Sequence, residues 1–249
     1  MELKETRNNA VLVVGASGGI GRAVVQHYLD ASEAITVIAF SRGGQPPDSE
    51  PAGERLLWRI SDNTEASIAR ELDWVSDLGL RVSRVIICNG LLHNEHIVPE
   101  KTVTRLKGAV MHEVFQANVV VPSLWIAALP QLLRQNGDCV IAVLSARVGS
   151  IGDNHLGGWH SYRASKAALN MVLKTAAVEY ARRLPGVKLL AFHPGTTDTK
   201  LSLPFQRGVA PEKLFTPGVV AGRLAGLMDQ LKADGHLSFL AWDGSRIEW

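Results

Sequence analysis

Short runs that are apolar at nearly every position alternate with longer stretches in which apolar residues recur every three or four places. The short runs are AVLVV (10–14), ITVIAF (35–40), LLWRI (56–60), RVIIC (84–88), CVIAVL (139–144), VKLLAF (187–192) and LSFLA (237–241). A strand covered on both faces has no polar side to present, so such runs predict strands of a parallel sheet. Helical periodicity lies near 19–31, 64–75, 102–133, 162–184 and 218–233. This alternation predicts a single α/β domain over residues 1–249, built on a doubly wound parallel sheet of about seven strands with helices on both faces. No repeat or low-complexity linker interrupts the pattern, and the loop-like SRGGQPPDSEPAGE (41–54) is too short to separate domains.

Composition narrows the function classes. Of 249 residues, 46% are hydrophobic and 20% charged, the balance of an ordinary globular domain. The formal charge of +2 is too small to argue for nucleic acid or an anionic membrane as partner. No apolar run is expected to reach the length of a membrane span, and the start MELKETRNNA has no secretory pattern. Cys88 and Cys139 stand beside strand-like runs with no Cys-x-x-Cys spacing, so buried free thiols and a cytoplasmic location are expected. HNEH (93–96) offers two histidines without further ligands, a poor zinc site, and no metal is expected.

The turn after the first strand carries chemistry. VLVVGASGGIGRAVV runs from that strand directly into the first helix, with Gly15, Gly19 and Gly21 spaced G-x-x-x-G-x-G around Ser17 and Ile20. Glycine permits a tight turn and a close backbone approach, and the helix N-terminus behind it favours an anion such as a pyrophosphate. The predicted architecture is therefore of the Rossmann type, with a dinucleotide as ligand. At the end of the second strand come Ser41 and Arg42, with no acid. An acid there suits the ribose of NAD, whereas an arginine accommodates the 2′-phosphate of NADP; NADP(H) is the preferred cofactor, with NAD(H) the alternative. Asp62, after the third strand, is placed either at the adenine edge or as a cap for the next helix.

In HSYRASKAA (160–168), Tyr162 and Lys166 are four apart and share one helix face. A cation held beside a phenol favours its ionised form, lowering a pKa that is ordinarily about 10. The pair is then a candidate proton donor and acceptor.

Taken with CNG (88–90), Asn118 in FQANVVV, and HPG (193–195), these motifs resemble the short-chain dehydrogenase/reductase family across essentially the whole chain. SARVGSIGDN, GGWHSYRASKAALN and the ending AWDGSRIEW look like its C-factor-like branch. The resemblance implies an NAD(P)H-dependent oxidoreductase interconverting a carbonyl and a secondary alcohol. Tyr162 would move the proton, Lys166 would tune it and hold the nicotinamide ribose, and Asn118 would support a proton relay. Asn89 and Gly90 match a shortened Asn-Asn-Ala-Gly turn, and Pro194, Gly195, Thr197 and Thr199 match the segment at the nicotinamide and diphosphate.

The hydroxyl expected to bind the substrate oxygen is displaced. Aligned on Gly149, the family's serine position is Ala146, and a hydroxyl stands one residue earlier at Ser145. Neighbours on a strand face opposite ways. Either a bulge turns Ser145 inward, or Ser150 or Ser161 serves, or the bond is missing; Ser145 is the preferred reading. The loop before the tyrosine helix is expected to rim the pocket through His155, Trp159 and His160, and residues 196–217 to form the substrate-covering loop. The resemblance further implies a small-molecule substrate and a homodimer or homotetramer. The rival reading is a nucleotide-binding, C-factor-like signalling protein with little turnover.

Overall fold

The computed structural model describes residues 9–44, 53–134 and 137–249, so most of the loop-like stretch 41–54 lies outside the described residues. The chain runs β1 (Asn9–Val14), α1 (Gly19–Ala31), β2 (Ile35–Ser41), β3 (Leu56–Ile60), α2 (Glu65–Asp77) and β4 (Arg81–Ile87). It continues through α3 (Gly108–Phe115), α4 (Val121–Leu133), β5 (Cys139–Leu144), α5 (His160–Arg183) and β6 (Val187–His193). Two short strands, β7 (Thr196–Thr197) and β8 (Leu214–Phe215), precede α6 (Pro217–Gln230) and β9 (Ser238–Ala241). Among the described residues, seven strands form one sheet in the order β3-β2-β1-β4-β5-β6-β9, every neighbouring pair parallel. This is the architecture that the alternation of patterns predicts.

The side-chain period of two sorts each strand between two cores. Ala10, Leu12, Val14, Ile141 and Val143 join α2, α4 and α5 through Ile68, Trp125, Leu169 and Leu173. Val11, Val13, Ala142 and Leu144 join α1 and α6 through Val24, Val25, Val220 and Leu224. Because both faces are covered, most strand positions are apolar, and among the inner exceptions Arg84 and Lys188 are paired with Asp229 and Asp234.

The 102–133 pattern, which predicts one helix, is divided. A single 3-10 turn (Val103–Arg105) precedes α3, and a π turn (Gln116–Val120) joins α3 to α4, closed by the Val121 amide donating to the Gln116 carbonyl. The rod Gly108–Leu133 has a mean hydropathy of 1.2 and enough length to cross a bilayer, which corrects the expectation that no apolar run is that long. Its apolar side is a core face: Trp125, Leu129 and Leu133 are buried against the sheet.

The topology brings the functional loops to one place. All seven strands point their C-terminal ends the same way, and the strand order reverses between β1 and β4. A crevice opens at that edge, where a ligand meets the ends of several strands and the start of α1.

Candidate active site

The turn after β1 is shaped by its glycines. Gly15 has φ +77°, and a Cβ on Gly21 would lie 2.3 Å from the Gly15 carbonyl oxygen, so α1 starts hard against the turn. Helix α1 has Gly18 at its N-cap and no side-chain cap hydrogen bond, which leaves its first amides available to an anion. A cavity of about 390 Å³ adjoins it, lined by Ser17, Gly18, Gly19, Ile20, Gly21, Arg22, Asn89, Gly90, Ser145, Tyr162, Lys166, Pro194 and Thr199. A smaller one, about 160 Å³, continues past Gly15, Ser41, Arg42, Asn63 and Asn89. Asn89 Oδ1 is buried with no hydrogen-bond partner. Uncapped amides, a cradle that a Cβ would fill, and an unpartnered polar atom along its wall fit a dinucleotide.

Asp62 and Ser41 are both held by local partners. Asp62 Oδ1 accepts from the Thr64 amide (2.9 Å) and hydroxyl (2.8 Å), and Thr64 in turn accepts from the Ser67 amide to start α2. Asp62 thus braces a cap, and Asn63 rather than Asp62 lines the smaller cavity. Ser41 donates to the Gly44 carbonyl (2.8 Å) and accepts from the Trp58 indole (2.9 Å), so its hydroxyl holds the loop that carries Arg42.

Helix α5 delivers Tyr162 and Lys166 to the first cavity together. Lys166 is buried, donates to the Leu144 carbonyl (2.8 Å), and stands 5.7 Å from the centroid of the Tyr162 ring. Burial disfavours both charged forms: it pushes the Tyr162 phenol up to about 12 and the Lys166 ammonium down to about 8. In the protein alone, burial therefore outweighs the acidifying effect expected of Lys166, and the phenol is held protonated at neutral pH.

Asn118, in the π turn, is fully buried rather than on a cavity wall. Its amide accepts from the Leu91 N–H (2.7 Å) and donates to the Leu91 carbonyl (2.9 Å) and to Ser165 Oγ (3.0 Å). Ser165 donates to the Tyr162 carbonyl (2.7 Å), so Asn118 ties the loop after β4 to the tyrosine turn. Single π turns inside α-helices gather at functional sites.

A third cavity, about 240 Å³, adjoins the first, sharing Ile20, Ser145, Tyr162, Pro194, Thr199 and Leu201 with it, and is lined further by Ala146, Val148, Trp159, His193, Gly195, Thr197 and Phe205. Ser145 Oγ donates to Asn170 Oδ1 (2.7 Å), eight residues down α5 from Tyr162, while Ala146 supplies a methyl to the wall. Ser150 accepts from the Asp153 amide (3.0 Å), and Ser161 donates to the Glu100 carboxylate; neither lines these cavities. His193 Nδ1 and Thr197 Oγ1 are buried without partners, and burial lowers the His193 pKa to about 4. His193 and Phe205 emerge only from the fold; HPG places the histidine, but no spacing announces its ring.

Of the loop residues expected at the rim, Trp159 lines the third cavity, while His155 is exposed and His160 is not on its wall. Residues 196–217 fold over the site as β7, β8 and two 3-10 turns, Leu203–Phe205 and Pro211–Lys213. His93 Nε2 lies 3.1 Å from the Lys200 and Leu201 carbonyls, fastening that segment to the loop after β4. Among the described residues no three of His, Cys, Asp and Glu converge on a metal-sized site.

Known proteins share this plan. The chain is 27% identical over 241 residues to the 1-hydroxy-2-glutathionyl-2-methyl-3-butene dehydrogenase of Rhodococcus sp. (strain AD45), covering 97% of this chain and 100% of that one. It is 30% identical over 141 residues to the C-signal protein of Myxococcus xanthus, covering 57% of this chain and 80% of that one. An NADPH-bound carbonyl reductase from chicken fatty liver superposes with a TM-score of 0.78 at 26% identity, over 98% of this chain and 96% of that one. The short chain dehydrogenase profile matches residues 9–208, and the chain belongs to that family of oxidoreductases.

Proposed function

We propose that the protein is an NADP(H)-dependent oxidoreductase that interconverts a carbonyl and a secondary alcohol. The observation that carries this is the meeting of Tyr162 and Lys166 with the uncapped start of α1 in one crevice. The glycine turn and the first amides of α1 would hold the diphosphate, Arg42 the 2′-phosphate, Lys166 the ribose beside the nicotinamide, and Pro194 through Thr199 the ring itself. A reduced nicotinamide supplies a hydride to a carbonyl carbon. Tyr162 gives its proton to the oxygen, and Lys166 stabilises the phenolate left behind. Reduction is the proposed direction, because arginine-type cofactor selection usually goes with biosynthetic or clearing roles.

Ser145 is the serine of this reading, able to bind the substrate oxygen only if its hydroxyl turns from Asn170. Losing such a donor costs about 10² to 10³ in rate, so turnover is expected to be modest. The groove of about 820 Å³ between α4 and α5, with exposed Met171, is the face on which copies of the chain would pair as dimer or tetramer.

Consumption of NADPH with a panel of ketones and aldehydes tests the reading. Arg42→Asp is expected to shift the NADPH-to-NADH ratio of kcat/KM towards NADH by about 10- to 100-fold, the worth of a hydrogen bond to a charged group. An unchanged ratio would remove Arg42 from cofactor selection. In a pH profile at saturating NADPH, Lys166 is charged below about 8 and neutral above it, so kcat/KM for reduction should be level near pH 7 and fall above 8. A profile that rises through that range would contradict the role given to the ammonium.

The likeness to the C-signal protein and the engaged Ser145 favour one other reading, a nucleotide-binding signalling protein with little turnover. A biological effect that survives Tyr162→Phe while NADPH binding persists would select it.

A further inference from the structure

The third cavity is walled by Ile20, Leu92, Val148, Trp159, Leu201 and Phe205. Its aromatic part is built at a conformational cost. Gly157, Gly158 and Trp159 take φ of +63°, +68° and +52° in succession, and for tryptophan that region is unfavourable by about 1–2 kcal/mol. Three hydrogen bonds to one residue hold the strained segment: the Trp159 amide donates to the Glu100 carbonyl (2.5 Å), and the buried Glu100 carboxylate accepts from the Ser161 amide (3.2 Å) and hydroxyl. The indole meets the Phe205 ring at 5.0 Å and the Tyr162 ring at 6.2 Å. Phe205 is itself fixed by His93, ring to ring at 5.5 Å, whose Nε2 sits on the Lys200 and Leu201 carbonyls. Backbone strain at a non-glycine residue that places a ring beside the proton donor points to a role in the site.

The rest of the wall is uncharged but for one residue, and His193 Nδ1 and Thr197 Oγ1 are neutral polar atoms without partners. Arg147 is the one charged side chain lining this cavity among the described residues, and it is paired with Asp153 at 3.3 Å. Ser202 is engaged with the Thr197 carbonyl. A space of about 240 Å³ has room for one six-membered ring with a short substituent.

Resting on the oxidoreductase reading above, we propose that this cavity selects carbonyl compounds bearing an uncharged aromatic ring next to the carbonyl, aryl ketones and aryl aldehydes, with the ring lying against Trp159 and Phe205. The test compares kcat/KM for acetophenone and methyl cyclohexyl ketone, which differ in the flatness of the ring, with glyceraldehyde as a polar reference. Wild-type enzyme should discriminate against glyceraldehyde. Trp159→Leu should lower the acetophenone-to-cyclohexyl ratio about three- to tenfold through KM, the range that aromatic pairing is worth. Phe205→Leu should move it the same way, and this variant, outside the strained segment, carries the test if Trp159→Leu does not fold. A ratio unmoved by Phe205→Leu, or wild-type preference for glyceraldehyde, would overturn the proposal while leaving carbonyl reduction standing. NADPH binding without reduction of any carbonyl would overturn both.

Discussion

If the proposed reaction holds, Tyr162→Phe is expected to lower NADPH-dependent carbonyl reduction by about 10²- to 10⁴-fold, the range a positioned general acid contributes, and to leave NADPH affinity unchanged. The substitution removes one oxygen and little else. Phenylalanine keeps the edge contact with Trp159 and the ring beneath the Lys166 ammonium. Among the described residues no hydrogen bond uses the Tyr162 hydroxyl, so the fold does not depend on it. The effect therefore falls on proton transfer, measured as kcat beside a fluorescence titration of NADPH. Equal losses in binding and turnover would mean a structural tyrosine.

Gly149→Ala has the second-largest expected effect, although residue 149 touches no substrate. A Cβ there would lie 2.8 Å from both the Lys166 carbonyl carbon and the Lys166 Cβ, backbone and stem of the lysine that shares the crevice with Tyr162. Neither neighbour is the free end of a flexible chain, so the 3-10 turn Arg147–Gly149 and α5 must move apart. Overpacking of this kind costs about 1–3 kcal/mol. For a chain of this size that corresponds to a Tm lower by about 2–12 °C. Displacing a catalytic group by about 1 Å costs about 10²-fold in rate. A Tm scan and kcat/KM on one preparation separate the two effects, and a variant equal to wild type in both would refute the close packing.

The parts of this account that sequence revealed are local. Seven apolar runs became seven strands because burial on both faces leaves no polar alternation to confuse the pattern. Tyr162 and Lys166 were legible because four residues on a helix fix their shared face. The π turn at Gln116–Val120 was not, since one extra residue barely disturbs the apolar period across α3 and α4. The direction of Ser145 was hidden for a different reason: its partner Asn170 lies 25 residues away on another element. His93 is farther still from its partners, 107 and 108 residues from Lys200 and Leu201. Trp159 gave only the two glycines before it as warning, and glycines in a loop have many causes. Contacts that close the pocket are thus set by tertiary packing, whereas those that pair the proposed proton donor with Lys166 are set by helix geometry.

Asp62 marks the boundary between the two. Its place after the third strand was legible, and of its two readings, adenine edge and cap, the local hydrogen bonds show the cap. Thr64, two residues on, offers its amide and its hydroxyl to one carboxylate oxygen, the local turn that aspartate favours.

The most direct measurement is a crystal structure with NADP and the alcohol product of a good substrate bound. The account predicts the product oxygen within about 2.6–3.2 Å of the Tyr162 hydroxyl, on the side of Trp159, with the nicotinamide ring on the side of the glycine turn. A product oxygen beyond reach of that hydroxyl, whether directly or through one water, or a ring held elsewhere than the crevice shared with Lys166, would contradict it.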